Sequence, residues 1–255
     1  MDWQDDGIIL TVRPHGERSA ILSVLTAEHG RHAGLVRGAH SRNLRGILQP
    51  GNQVRATWRA RLDDHLGTFA VEGSGARVAQ VMVSPARLAA FISVASLLDM
   101  SLSEREAFPA VYSATNTVLD VIAAGESGWI GAYVGWELGL LSALGFGLDL
   151  TTCAGGGGET DLIYVSPRTG RAVSGPAGQL YRDKLLALPG FLVPGRGRAP
   201  ANHAADDLQD AFNLTGYFLG RHVFIKQGQG LPEARRRFTE LALRDPGLSG
   251  DLTEP

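Results

Sequence analysis

Gln53-Val54-Arg55-Ala56-Thr57-Trp58-Arg59-Ala60-Arg61-Leu62 decides how this chain is read. Side chains on a strand alternate between faces with period two. Val54, Ala56, Trp58, Ala60 and Leu62 therefore share one face, and Arg55, Thr57, Arg59 and Arg61 share the other. The apolar set is expected to face a core and the arginine set to stand outward as a row. Trp58 sits among arginines in sequence and suggests a base-stacking platform. On a regular strand it points away from them, so core packing is the expectation.

Working outward, strand patterns recur at residues 8–12, 20–25, 34–36 and 67–71, with glycine and turn residues between them. Five short strands punctuated in this way predict a small barrel, and a five-stranded Greek-key barrel of OB type fits the count and the size. The stretch from Arg31 to Arg61 holds Arg31, Arg37, Arg42, Arg45, Arg55, Arg59 and Arg61, with His32 and His40, and not one acid. Two readings fit this clustering: a solvated basic face, or a surface for a polyanion. Arginine keeps its charge and presents a forked donor set suited to phosphate.

The bias is local. The 255 residues carry 24 Lys+Arg against 26 Asp+Glu, a formal charge of -2, and all cations but Lys184 and Lys226 are arginine. At 44% hydrophobic and 20% charged the composition is that of a globular protein. The single cysteine, Cys153, excludes a disulfide scaffold and a multi-cysteine zinc finger. No apolar run approaches the ~18 residues of a membrane span. The acidic start, Met1-Asp2-Trp3-Gln4-Asp5-Asp6, has no signal-peptide pattern, so a cytoplasmic protein is expected.

From Ser84 the period changes to that of helices. Ser84-Pro85 reads as an N-cap and first turn, followed by Leu88, Phe91, Ile92, Ala95, Leu98 and Leu102. Ser103-Glu104-Arg105-Glu106 matches a capping box ahead of the stripe Phe108 to Ile122. A third helix is predicted over 129–144, ended by Gly145. Residues 151–178 read as a small hairpin insert, with the turn signal Ser166-Pro167-Arg168-Thr169-Gly170. Helical periodicity returns at 179–188, at 206–224, and from Leu231-Pro232-Glu233. The expected architecture is α+β and multidomain: a barrel over 1–80, a helical domain over 81–150 and 179–246, the insert over 151–178, and a tail over 247–255.

No catalytic constellation emerges. Gly145-Phe146-Gly147 lacks a third glycine and a preceding strand, Gly155 to Gly158 lacks the lysine of a phosphate loop, and no nucleophile elbow or zincin helix exists. Cys153 is expected to be an inert structural thiol. Glu137, close to an apolar stripe, is expected to be ion-paired rather than catalytic.

Gly7-Ile8-Ile9-Leu10, Arg13-Pro14-His15-Gly16-Glu17, Leu25-Thr26-Ala27-Glu28-His29-Gly30, Gly34-Leu35-Val36-Arg37-Gly38 and Leu48-Gln49-Pro50-Gly51 together resemble the N-terminal domain of the RecO family of DNA repair proteins. Trp136-Glu137-Leu138-Gly139-Leu140-Leu141, Leu144-Gly145-Phe146 and Cys153 resemble the same family's passage into its zinc-finger region. The resemblance covers nearly the whole chain in family order. It implies an OB-fold, a helical domain and a finger-like insert. It also implies a non-enzymatic recombination mediator that binds single- and double-stranded DNA and anneals complementary strands. With RecR, such a protein helps RecA replace single-strand-binding protein (SSB), whose C-terminal tail is a further implied partner. Many relatives carry four cysteines in the insert, whereas only Cys153 stands here, so no zinc or other cofactor is expected.

The expected DNA contacts are Arg31, Arg37, Arg42, Arg45, Arg55, Arg59 and Arg61. A second basic set, Arg221, Lys226, Arg235, Arg236 and Arg237, either extends that surface or is the solvated face of the last helix. The competing reading is an OB-fold adaptor that binds protein and not DNA.

Overall fold

The computed structural model describes residues 1–62, 64–156, 160–193, 204–225 and 228–244. Lys226 and the 247–255 tail lie outside the described residues, as do Gly157 and Gly158 of the insert. The chain divides into two compact units, Met1–Gly125 with Pro232–Phe238, and Glu126–Leu231 with Thr239–Pro255. By contacts, the helices that follow residue 76 pack within the same compact unit as the N-terminal sheet.

Five strands build that sheet: β1 (Asp2–His15), β2 (Ser19–Thr26), β3 (Gly30–Arg37), β4 (Gln53–Arg59) and β5 (Thr68–Gly75). Their order is β1-β2-β3-β5-β4, and pairing of β4 back to β1 closes the sheet on itself. A short helix, α1 (Arg42–Arg45), stands between β3 and β4 where the sequence suggested only a loop. Ile9, Leu22, Val24, Val36, Val54, Ala56, Trp58 and Phe69 fill the interior.

The alternation on β4 holds from Val54 to Arg59, with Val54, Ala56 and Trp58 fully buried and Arg55 and Arg59 exposed. The strand then ends three residues short of the Leu62 that the sequence pattern reaches. Its last paired residue, Arg59, faces Asp2 on β1 and Thr68 on β5. Arg61 and Leu62 fall in the following loop, and Leu62 is 53% exposed rather than buried. Trp58 is held in place by its surroundings. Its indole N–H donates to the Leu66 carbonyl at 3.0 Å. Gly67 (φ 66°) packs so closely on the ring that an added Cβ would lie 2.4 Å from Nε1.

Helices α2 (Arg77–Val81), α3 (Pro85–Ser101) and α4 (Pro109–Ala124) belong to this unit. Ser84 caps α3 as the sequence predicts, accepting from Arg87 N–H at 3.5 Å. The expected capping box at Ser103 to Glu106 does not cap a helix. Arg105 has φ 63°, and α4 begins at Pro109. Glu104 and Arg105 run beside β3 instead: Arg31 bridges Glu104, and Arg105 N–H donates to Arg31 O at 2.8 Å. Gly30 makes this approach possible, because a Cβ there would sit 1.9 Å from the Glu106 carbonyl oxygen. α2, unforeseen in sequence, is pinned by Arg77, which grips both Asp120 oxygens at 2.7 and 3.0 Å.

The second unit holds α5 (Trp129–Ala143), a sheet of β6 (Leu162–Val165), β7 (Ala172–Ser174) and β8 (Leu186–Ala187), α6 (Gly175–Gly178) and α7 (Ala204–Phe218). α8 (Glu233–Arg244) follows. The insert is three-stranded, order β7-β6-β8, and not a bare hairpin. The helix expected at 179–188 is a 3-10 turn over Gln179–Lys184, because Leu186 and Ala187 pair with Val165 and Tyr164. The α-helix expected to reach 224 becomes π-helical over Leu219–Phe224. Glu137 is fully buried and accepts hydrogen bonds from Tyr133 Oη at 3.0 Å and Thr215 Oγ1 at 2.6 Å.

Asp149 organises the start of the insert. Its carboxylate accepts from the hydroxyls of Thr152 at 2.6 Å and Thr151 at 2.8 Å, from both of their amides, and from Arg171 Nε at 3.2 Å. The Thr152 hydroxyl, then the Thr151 hydroxyl and amide, hold the Asp149 pKa well below the ordinary carboxylate range. A depressed folded-state pKa gives stability that is complete above the unfolded value of about 3.9 and is lost as pH falls toward the folded one. Asp149→Asn is therefore expected to reduce hydrogen-exchange protection of the Thr152 and Ala172 amides at pH 7. The gap between variant and parent should narrow below about pH 4. A pH-independent gap would remove the carboxylate charge from the account.

Candidate nucleic-acid interface

The sheet register changes the electrostatic meaning of the β4 row. Outward residues of β1 lie directly opposite it: Asp2 faces Arg59, Gln4 faces Thr57 and Asp6 faces Arg55. On the other side Glu72 of β5 also faces Arg55. Arg55 Nη1 donates to Asp6 Oδ1 at 3.0 Å, and Asp6 is the main cause raising the Arg55 pKa. Arg59 Nε lies 4.0 Å from Asp2, a looser pair with both side chains over 70% exposed. The acid-free stretch of sequence thus meets its acids across strands. Arg61 is exposed in the loop after β4.

Arg31 is a correction to the sequence reading. Its side chain is only 17% exposed, donates to Leu102 O at 2.9 Å and bridges Glu104 at 3.3 Å, with Asp99 at 3.6 Å. It fastens β3 to the segment after α3 and does not project toward a ligand.

The remaining arginines gather at one end of the sheet. Arg37 ends β3, and Arg42 and Arg45 lie on α1. Arg18, which the sequence reading omitted, joins them from the β1–β2 turn. Its carbonyl accepts from Ala39 N–H at 3.0 Å, and the adjacent Ser19 pairs with Arg37. His40 and Arg45 line one small hollow beside α1. Arg37, Arg18, Arg42, Arg45 and His40 are all exposed, and among the described residues none of these four guanidiniums has an ion-pair partner. Glu17 is the one acid in the same turn. The signal that could have found Arg18 was the hairpin itself, since β2 must lay its first residues beside the end of β3.

Next to this end is a groove of about 630 Å³ lined by Val36, Arg37, Leu44, Thr57, Arg59, Thr68, Phe69, Ala70 and Val71. The described members of the second basic set have different surroundings. Arg235 is 4% exposed, Arg236 is tied to Glu233, and Arg221 lies against the Tyr217 ring at 5.8 Å. Arg237 is exposed.

Trp58 is interior, edge-on to His32 at 4.6 Å and near Trp3 at 6.0 Å, so it offers no face to a base. Cys153 is buried, its sulfur accepting from the amides of Gly155 and Ser174, each at 3.3 Å. Among the described residues no group of three His, Cys, Asp or Glu is placed to hold a metal, and no helix is long and apolar enough to cross a membrane.

Comparison with known proteins finds matches along nearly the whole chain. Residues 1–74 match the family model of the recombination protein O N-terminal domain, and residues 82–229 match that of its C-terminal domain. The DNA repair protein RecO of Rhodospirillum rubrum is 49% identical over 244 residues, 94% of this chain and 96% of the relative. That of Rhodospirillum centenum is 48% identical over the full length of both chains. That of Methylobacterium nodulans is 46% identical over 97% of this chain and all of the relative. By both domain matches and by identity over its whole length, the chain belongs to the RecO family of DNA repair and recombination proteins.

Proposed function

We propose that the protein is a recombination mediator that binds single- and double-stranded DNA through the arginine end of an OB-type barrel. The observation that supports this most is the cluster of Arg18, Arg37, Arg42 and Arg45, which has no acid partners among the described residues while the arginines of β4 do. Such a surface contacts phosphates, which carry affinity without sequence choice and are common to one strand and two. Two strands held by their phosphates keep their bases free to pair, which is the physical requirement for annealing.

In this reading the insert is a finger-like element without zinc, held by the Asp149 network and its own strand pairing. The protein performs no covalent chemistry. It acts with RecR to help RecA replace SSB, with the SSB tail as a direct partner, in the cytoplasm and at the nucleoid during repair.

The test is fluorescence anisotropy of a labelled oligonucleotide titrated across salt. If four guanidiniums meet phosphates, log K for single strands should fall with log salt at a slope of about −2.8. No binding, or binding without salt dependence, would leave the adaptor reading in its place.

A further inference from the structure

Two stretches that stood out in the sequence, Gly145-Phe146-Gly147 after α5 and the turn from Ser166 to Gly170, come together in the second unit. With Phe218 at the end of α7 and His222 on the π-helical turn that follows it, they line a hollow of about 190 Å³. Gly170 N–H donates to Ser166 O at 2.9 Å and closes the turn that carries Arg168 and Thr169. An added Cβ on Gly170 would lie 3.0 Å from Leu148 Cδ2 and 3.8 Å from Phe218 Cε1, so the missing side chain keeps the hollow open. The His222 ring runs parallel to two phenyl rings, within 8° of Phe218 at 5.9 Å and within 21° of Phe146 at 5.0 Å. Stacking engages the faces of an imidazole, while hydrogen bonding uses the nitrogens at its edge. No carboxylate lines the hollow. Asp149, just past Leu148, is taken up by Thr151, Thr152 and Arg171. Arg171 is thereby neutralised, whereas Arg168 is exposed and, among the described residues, has no ion-pair partner.

We propose that this hollow binds a single terminal phosphate group, free or as a phosphomonoester, held by Arg168, the Thr169 hydroxyl and the ring edge of His222. The site lies within the second unit, and the inference does not rest on the DNA-binding reading above. Size points to a small ligand group. Sites that enclose a drug-sized molecule run to ~300–1,000 Å³, and about 190 Å³ falls below that range. Charge and donor number select among small anions. A terminal phosphate carries about −1.5 to −2 at pH 7 and three strong acceptor oxygens. A carboxylate, or a phosphodiester within a strand, carries one charge and fewer free oxygens. Guanidinium, hydroxyl and imidazole donors together supply a partner for each oxygen of the terminal group. The apolar walls, Phe146, Leu148 and Phe218, keep water from one side and so strengthen those bonds. The π-helical turn fits the same reading, since such turns are rare and recur at functional sites.

The test is ¹H–¹⁵N NMR of the full chain at pH 7, titrated with sodium phosphate against sodium chloride of equal ionic strength. Phosphate should shift the Thr169 and Gly170 amides and the His222 ring saturably, and chloride should not. Arg168→Gln, on an exposed turn, should weaken this binding about ten-fold with circular dichroism unchanged, the loss of one charge-assisted hydrogen bond. Thr169→Val should weaken it about three-fold, and keeps the test open should Arg168→Gln not fold. A short oligo-dT with a 5′-phosphate separates the two sources. If it reproduces the shifts and its 5′-hydroxyl twin does not, the ligand is a strand end; if only inorganic phosphate reproduces them, the ligand is the free ion. The absence of saturable shifts, shifts that survive Arg168→Gln, or equal shifts from sodium acetate or from the 5′-hydroxyl strand would overturn the phosphate site.

Discussion

Reversing Arg18, Arg37, Arg42 and Arg45 to glutamate is expected to abolish binding of both single- and double-stranded DNA, with loss of at least about a hundred-fold in affinity at low salt. The residual salt slope should lie near zero, since each lost phosphate contact removes about 0.7 from the single-strand slope. These side chains are exposed and have no ion-pair partners among the described residues, so circular dichroism and melting temperature should be nearly unchanged. The comparison that gives the result its meaning is Arg55→Glu. That residue already sits between Asp6 and Glu72, so its cation is largely spent within the sheet. It should cost far less DNA affinity than any one of the four. If Arg55→Glu were the more damaging change, the interface would lie on the β4 face after all.

Trp58→Ala is expected to destabilise the N-terminal unit by about 3–5 kcal/mol, the range for removing a large aromatic side chain from a core. Trp58 is fully buried among Val36, Ala56 and Phe69, and its N–H satisfies the Leu66 carbonyl. A stability of 5–15 kcal/mol is typical of a domain, so this loss is a large share of it. Denaturant unfolding followed by circular dichroism would measure it. Trp58→Phe should cost much less and leave DNA affinity intact. Loss of DNA binding by a fully folded Trp58→Phe would mean that the indole reaches the ligand.

How much was legible in the sequence follows from where the deciding contacts lie. Period two along Gln53 to Arg59 is a local signal, and it placed Trp58 inside and Arg55 and Arg59 outside. The neutralising acids were not local. Asp2 and Asp6 are over 45 residues away in sequence, and only strand register brings them opposite the arginines. Asp2-Trp3-Gln4-Asp5-Asp6 does alternate, with Trp3 and Asp5 on the more buried side, but its acidity reads as a polar lead-in and not as a strand. Arg31 looked like its neighbours because nothing nearby reveals that Leu102 and Glu104 return to meet it. The misread capping box has the same origin: Glu104 had a partner on β3 that outcompeted a helix start. The family resemblance rested on ordered short motifs, and both domain matches carry the same order.

The clasp between β3 and the 104–106 segment bears on how separable the N-terminal sheet is. Arg31, Gly30 and Arg105 tie it to the chain beyond α3, and Arg13 meets the buried Asp99 carboxylate on α3 at 2.9 Å. A fragment cut after Gly75 would shed the acceptors of Arg31 and the cover over Gly30 together. The sheet is thus no free-standing cassette to graft onto another protein: part of what holds its β3 edge is written into the chain that follows it.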